Sequence, residues 1–544
     1  MRGIRWMLLL AVLLCMLSAG ALATVTVSLV HVPSGTVLNS RRCQEYVTFF
    51  VPAGWKPEDV ALQLTGVDSI SYAEHTYADG GSIAGFPLNE HCRCACGKET
   101  LKLCIMKSEN VTSVFFTTES GSLNAIHKKK KNRESGTLRA FSGTGEVLYD
   151  GVLTQVKCRG SASFAFDKKS YNLKLAEKAE LIPGTQKEKK WILVSNYRDK
   201  SLLRNRITMD MARAAGITCT PDCVPADVYA NGDYLGSYLL CEEIGIGKGR
   251  VEIEDLEKKM EALNPPGLSQ PKTSGRKQYA EGAWKGVALS EPEDITGGYL
   301  FEYEAYNSRY ADETSAYATE DGAVIVVKSP EECGPNEMEY VSWLIQCFEN
   351  AITAKNGIDP KSGLHYSEIA DVDSLVRRYL IEEISKNYDG NTSSQYFYKD
   401  AGADSKLTAG SCWDYDSAYA GYSRKEGSPI TEPEGLSVGT AAKSEYWWPK
   451  LYGHEEFARQ CAEVYRTVYA PLLSALLGEG KAEGVKSLSE YAEEIRASER
   501  MNRMIWPNRT YTSKGVRVSD SLDGNVEILR DFIAARKAYL DGIW

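Results

Sequence analysis

The stretch from Val372 to Asp416 constrains this chain more than any other. Val372, Leu375, Val376, Tyr379, Leu380 and Ile384 recur at helical spacing and predict an amphipathic helix over 372–385. Lys386-Asn387-Tyr388-Asp389 follows at once. Residues 395–399 then read as an aromatic strand, 400–405 as a turn and 406–412 as a second strand, ahead of Trp413-Asp414-Tyr415-Asp416. A hairpin returns its end to where it began, so Asp389 and Asp414 are delivered to the same edge of a sheet. One aspartate beside an attacking hydroxyl, with a second holding Mg²⁺ on phosphates, is what phosphoryl transfer requires.

The chain opens with Arg2 and Arg5, an apolar run over 6–17, and small residues ending Ala21-Leu22-Ala23. These are the three parts of a secretory leader, with cleavage expected after Ala23. The apolar run is too short for a membrane span, and no later segment is long and apolar enough for one. Cys15 lacks the small residues that a lipid-anchor site places before it. The expected mature chain is exported, without an integral membrane segment. It carries 61 Lys and Arg against 73 Asp and Glu, which argues against a general nucleic-acid binder.

Thirteen cysteines follow the leader. Cys92, Cys94, Cys96 and Cys104 lie near His91, but Cys-x-Cys-x-Cys departs from the two-residue spacing of structural zinc sites. Disulfides or free thiols are the expectation ahead of zinc, and Cys219 and Cys223, flanking Thr-Pro-Asp, could pair. Residues 24–117 read as a β-rich module, with strands at 25–30, 45–51 and a closing strand at 111–117. A meander over 138–157, a strand at 171–175, a helix over 202–215 and a hairpin turning at Asn231-Gly232 come next. Residues 254–296 are polar and proline-containing and read as a surface insertion. The C-terminal part reads as helical over 457–477, 485–501 and 526–539. The run Lys128–Lys131 reads as a solvated loop.

An ordered series of segments runs along the chain. It comprises Ser120-Gly121-Ser122-Leu123-Asn124-Ala125-Ile126-His127, Lys157-Cys158-Arg159-Gly160-Ser161, and 167–175. Then come 191–196 with Asp199-Lys200-Ser201-Leu202-Leu203-Arg204-Asn205, and 229–238 with Glu242. Gly297-Gly298-Tyr299-Leu300, the Asn387–Asp389 loop and Trp413-Asp414-Tyr415-Asp416 complete it. The set resembles the CotH kinase family, named for a spore coat protein and related to atypical secretory-pathway kinases. The likeness covers about 118–510, and the order of the set carries it rather than any one motif. Ser161-Ala162 replaces the family's Asn-containing turn, and Cys158 stands where glycine is common.

The resemblance implies an α+β, bilobed, atypical protein-kinase-like fold after the N-terminal module. Its β-rich N-lobe would span about 118–250, the insertion about 254–296, and the helical C-lobe about 297–544. It implies ATP with Mg²⁺ or Mn²⁺ as cofactors, and Ser/Thr of a secreted, surface or spore coat protein as substrate. Asp389 would be the catalytic aspartate and Asp414 the metal-holding one, with Asp416 a nearby acid assigned to the metal. Developing phosphate charge needs cations. Lys169, sharing a strand face with Tyr171 and Leu173, and Arg159 are the candidates, and Glu242 would orient the lysine or lie near adenine. A non-catalytic surface or spore-coat scaffold with the same fold is the alternative.

Overall fold

The computed structural model describes residues 25–160, 162–265, 281–304, 313–508 and 515–544. The expected leader, Ser161 and residues 266–280 of the expected insertion lie outside the described residues. The chain divides into two compact units, 1–108 with 232–234, and 109–231 with 235–544. The architecture is mixed α+β.

The first unit carries a three-stranded sheet (Thr36–Leu38, Thr26–His31, Val60–Thr65) and a six-stranded sheet. In the second of these, Tyr46–Val51 runs parallel to Glu99–Lys107, which pairs antiparallel with His91–Cys96. The Cys-x-Cys-x-Cys spacing has its explanation here. Side chains alternate across a strand, so Cys92, Cys94 and Cys96 line its buried face while His91, Arg93 and Ala95 are exposed. His91 stacks on Tyr46 at 4.2 Å, on the face opposite those sulfurs. Among the described residues no cluster of three or more His, Cys, Asp or Glu could hold a metal, and all thirteen cysteines from Cys43 to Cys461 are buried free thiols. Cys219 and Cys223 are therefore unpaired thiols rather than the disulfide considered above.

In the second unit seven strands close into a barrel. Their order is Thr112–Thr118, Glu134–Phe141, Val147–Arg159, Ser170–Ala179, Glu188–Val194, Asp233–Glu242 and Cys223–Ala230. The last strand runs parallel to the first and seals the seam. The strand expected to close the N-terminal module thus opens the barrel instead, pairing with Glu134–Phe141 over its whole length. Inward residues Val114, Phe116, Leu138, Leu153, Val156, Cys158, Tyr171, Leu173 and Leu240 fill the interior.

The rest of this unit is built on a six-stranded sheet, in the order Trp284–Lys285, Ala316–Ala318, Val324–Ser329, Tyr299–Glu304, Gln395–Lys399, Thr408–Ala409. The expected hairpin forms, with Phe397 opposite Ala409 and Tyr398 opposite Thr408, but its second strand is only two residues long. The expected polar insertion contains a short helix, Leu256–Leu263, whose Leu256 and Met260 are buried. The helix Val372–Ser385 spans the predicted residues, capped by Asp371 accepting from the Asp373 and Ser374 amides. Leu375, Val376, Tyr379, Leu380 and Ile384 are fully buried, each contributing on the order of 2 kcal/mol by removal from water. Its other face carries Arg378, Glu382 and Glu383, also fully buried, so their charges need partners. No helix of the described residues is long and apolar enough to cross a membrane.

Candidate functional site

The helix Val372–Ser385 ends at Lys386, which adopts the left-handed conformation (φ 44°) and turns the chain out of the helix. The Lys386 ammonium donates to the carbonyls of Pro429, Glu432 and Glu434, tying that turn down. Three residues later the Asp389 carbonyl accepts from the Thr392 amide at 2.8 Å, and the Thr392 hydroxyl donates to Asp389 Oδ1 at 3.2 Å. The chain runs through the hairpin and returns at Ser411, whose carbonyl accepts from Arg378 Nη1 at 2.7 Å. Asp414 has φ 69°, a left-handed backbone that a non-glycine residue holds only when its surroundings over-determine it. Here the buried Trp413 and Tyr415 on either side fix it, and the Tyr415 amide donates to Asn205 Oδ1 at 2.7 Å.

One buried carboxylate connects the two loops. Glu382 Oε1 accepts from the Tyr415 hydroxyl at 2.5 Å and from Arg378 Nη2 at 2.8 Å, while Oε2 accepts from Asn387 Nδ2 at 2.8 Å. Tyr415 separates Asp414 from Asp416, and Asn387 stands two residues before Asp389. Glu382 therefore sets the mutual placement of the acids through one rigid helix.

The barrel supplies the facing wall. Cys158 points into the barrel, so Lys157 and Arg159 project outward from the same strand. Their cross-strand partners Asn172 and Ser170 share that outer face. Gly160 ends the strand at φ 89°, and a Cβ there would fall 1.8 Å from Ser163 Oγ, so only glycine fits this turn. These residues, with Lys130, Ser195, Asn196 and Arg198, line a cleft of about 470 Å³ that Asp389, Asp414 and Asp416 also line. Four of the candidate residues thus meet in one cavity: Arg159, Asp389, Asp414 and Asp416.

Lys169 and Glu242 do not line it. Lys169 shares a face with Tyr171 and Leu173, but that face is the barrel interior. Its ammonium caps the carbonyls of Phe164 and Phe166 at 2.8 and 2.5 Å. Lys168 is buried, donating to Ser237 O and Asn502 Oδ1. Glu242 is buried and accepts from the Asp222 amide at 3.0 Å.

Lys130 is the cleft residue that sequence reasoning set aside with its lysine-rich loop. Desolvation, then the charges of Arg159 and Lys157, lower its pKa. Among the described residues none of Lys130, Lys157 and Arg159 forms an ion pair with a carboxylate, so three cations crowd one part of the cavity, with Glu313 as a weaker opposing charge on Lys130. A polyanion is the ligand that relieves such crowding. Glu302 and Glu304, alternate residues of the strand Tyr299–Glu304, line another part of the cleft with Lys328, which lies 3.6 Å from Glu302. Period-two acids in a strand were a signal open to sequence reading.

Asp414 is exposed to the cleft and Asp416 is half-buried. Burial, and then the negative charge of Asp414, push the Asp416 carboxyl up to about 7, against a smaller opposing effect of Arg198. Two carboxylates held close enough for the charge of Asp414 to raise Asp416 fit a divalent cation. Mg²⁺ needs only one or two protein carboxylates when phosphates and water complete its shell, so two ligands suffice here. A folded pKa above the unfolded 3.8 makes the contribution of Asp416 to stability most favourable below pH 4; it declines as pH rises to about 7 and is flat above. Asp416→Asn is accordingly expected to raise the melting temperature of the metal-free protein at pH 8, by on the order of 2 °C. Scanning calorimetry at pH 8 and pH 4 checks this: the gain should vanish at the lower pH, and an equal gain at both refutes the like-charge account.

A model of the family described as CotH kinase protein matches residues 156–540, which hold every cleft residue named here except Lys130. No curated protein matches the chain.

Proposed function

The chain belongs to the CotH kinase protein family, and from that membership we propose that it is a metal- and ATP-dependent kinase acting on Ser or Thr hydroxyls of exported, surface or spore coat proteins. In this reading the barrel and the sheet-and-helix part are the two lobes of a kinase-like fold. The observation that carries the reading is the meeting, in one cleft, of Asp389, the Asp414–Asp416 pair and the cations Lys130, Lys157 and Arg159.

Each group has a part that its chemistry suits. Asp414 and Asp416 would hold Mg²⁺ or Mn²⁺, which when bound neutralises phosphate charge. Lys130, Lys157 and Arg159 would face the phosphate oxygens, Arg159 with a planar fork that lysine lacks. A Ser or Thr hydroxyl is a weak nucleophile, and Asp389 would orient it and accept its proton as the bond to phosphorus forms. The leader-like segment over 1–23 supports exported proteins as the substrates in this reading.

The test is incubation of residues 24–544 with radiolabelled ATP, Mg²⁺ or Mn²⁺ and an acidic protein substrate, with melting curves recorded alongside. Metal-dependent label on serine or threonine is the expected result. No label with either metal, together with no nucleotide-induced shift in melting, would make the chain a scaffold with a kinase-like fold instead.

A further inference from the structure

We infer that Trp413 is a positioning residue that locks the barrel-borne Arg159 to the loop carrying Asp414 and Asp416; the inference rests on the kinase reading above. Trp413 is 6% exposed, yet it belongs to neither large core. It sits in a separate apolar cluster with Ile192, Met209, Leu239 and Cys241. Ile192 alternates with Trp191 and Leu193, and Leu239 and Cys241 flank Leu240, all of which belong to the barrel interior. The indole therefore packs on the outer wall of the barrel. Met209, from the helix Arg204–Ala214, closes over the cluster.

The exposed part of this wedge carries the arginine. The Arg159 guanidinium lies over the indole, 4.8 Å from the ring centroid, and both residues line the cleft. Indole gives the strongest cation–π attraction of the side chains. Because no carboxylate among the described residues pairs with Arg159, the ring is the partner that orients it. The next residue is Asp414, whose left-handed backbone takes its direction from the buried residues on either side. One indole thus sets both a cation on the barrel and a carboxylate on the metal loop. A phosphate group bridging them would be neutralised from two sides at a fixed separation, and moving the indole would displace both groups.

The test is a double-mutant cycle read by Mg–ATP affinity, with Trp413→Leu and Trp413→Phe each made in the parent and in Arg159→Ala. In the parent, Trp413→Leu should weaken Mg–ATP about 10-fold, and Trp413→Phe, which keeps a ring face, should recover most of that. In the Arg159→Ala background, Trp413→Leu should add less than about 2-fold. In turnover the loss should fall on KM for ATP rather than on kcat. Equal losses in both backgrounds, tracking a falling melting temperature, would reduce Trp413 to packing and overturn the inference while leaving the kinase reading intact. A parent protein that binds no Mg–ATP would remove the kinase reading and the inference with it. Should Trp413→Leu not fold, Trp413→Phe and Trp413→Tyr in the same two backgrounds give the same comparison.

Discussion

Asp389→Asn is expected to slow phosphoryl transfer about 1,000-fold while leaving Mg–ATP affinity within a few-fold of the parent, and Asp414→Asn to abolish metal-dependent nucleotide binding. The two residues lie 25 positions apart and line the same cleft, so the contrast separates role from location. Asparagine keeps the shape of either side chain. At 389 it still accepts from the Thr392 hydroxyl, so the loop should survive. What it lacks is a basic oxygen to take the proton of an attacking hydroxyl, and that deficit acts on the chemical step alone. At 414 the substitution removes one of two ligand carboxylates, along with the charge that raises Asp416. The phosphates would then lose the cation that anchors them. Titration calorimetry gives the affinities and single-turnover label transfer gives the chemistry. Transfer at the parental rate by both variants would show that neither aspartate has its proposed part.

Glu382→Ala should produce the largest loss of stability, about 3–5 kcal/mol, although Glu382 never reaches the cleft. The carboxylate is fully buried, and its three partners, Arg378, Tyr415 and Asn387, are all donors. Deleting it leaves a buried guanidinium without its carboxylate and a tyrosine hydroxyl without an acceptor. Glu382→Gln preserves the volume but turns an NH₂ toward donors, so it should cost about 2 kcal/mol rather than being silent. Both variants should also loosen Mg–ATP binding, because Tyr415 and Asn387 hold the two acidic loops in register. Urea unfolding with a nucleotide titration would measure the pair of effects. A Gln variant as stable as the parent would mean that Glu382 is not the connection between those loops.

The local physics around the site was legible in the sequence. Six apolar residues at helical spacing predicted the helix Val372–Ser385 with its observed ends, and turn residues between an aromatic run and a second strand segment predicted the hairpin. Alternation told which residues share a face, but it could not tell which face would become the inside of a barrel. Lys169 travels with Tyr171 and Leu173, whose face becomes the barrel interior, and its ammonium caps the Phe164 and Phe166 carbonyls instead of reaching the cleft. The same closure turns Lys157 and Arg159 toward the cleft. Lys130 was hidden for a different reason. A lysine in a polar loop has no period, so only the tertiary course of the chain brings it beside Arg159. The Glu382 node left a fainter sign, an Arg378–Glu382 pair at i, i+4 on the side of the helix away from its apolar stripe. That pairing usually marks a solvated face, and here it marks a second buried one.

The thiols have a bearing on how long the protein lasts. Burial pushes Cys94 and Cys104 up to about 12, and all thirteen described cysteines are buried. Only the thiolate attacks a disulfide or an oxidant, so the folded chain is chemically quiet even in an oxidising compartment. Every one of those sulfurs becomes reactive on opening, and wrong cross-links then compete with refolding. Durability outside a reducing cytoplasm is thus a lifetime set by the rate of opening rather than an equilibrium constant, and a thiol reductant should restore reversibility that oxidising buffer removes.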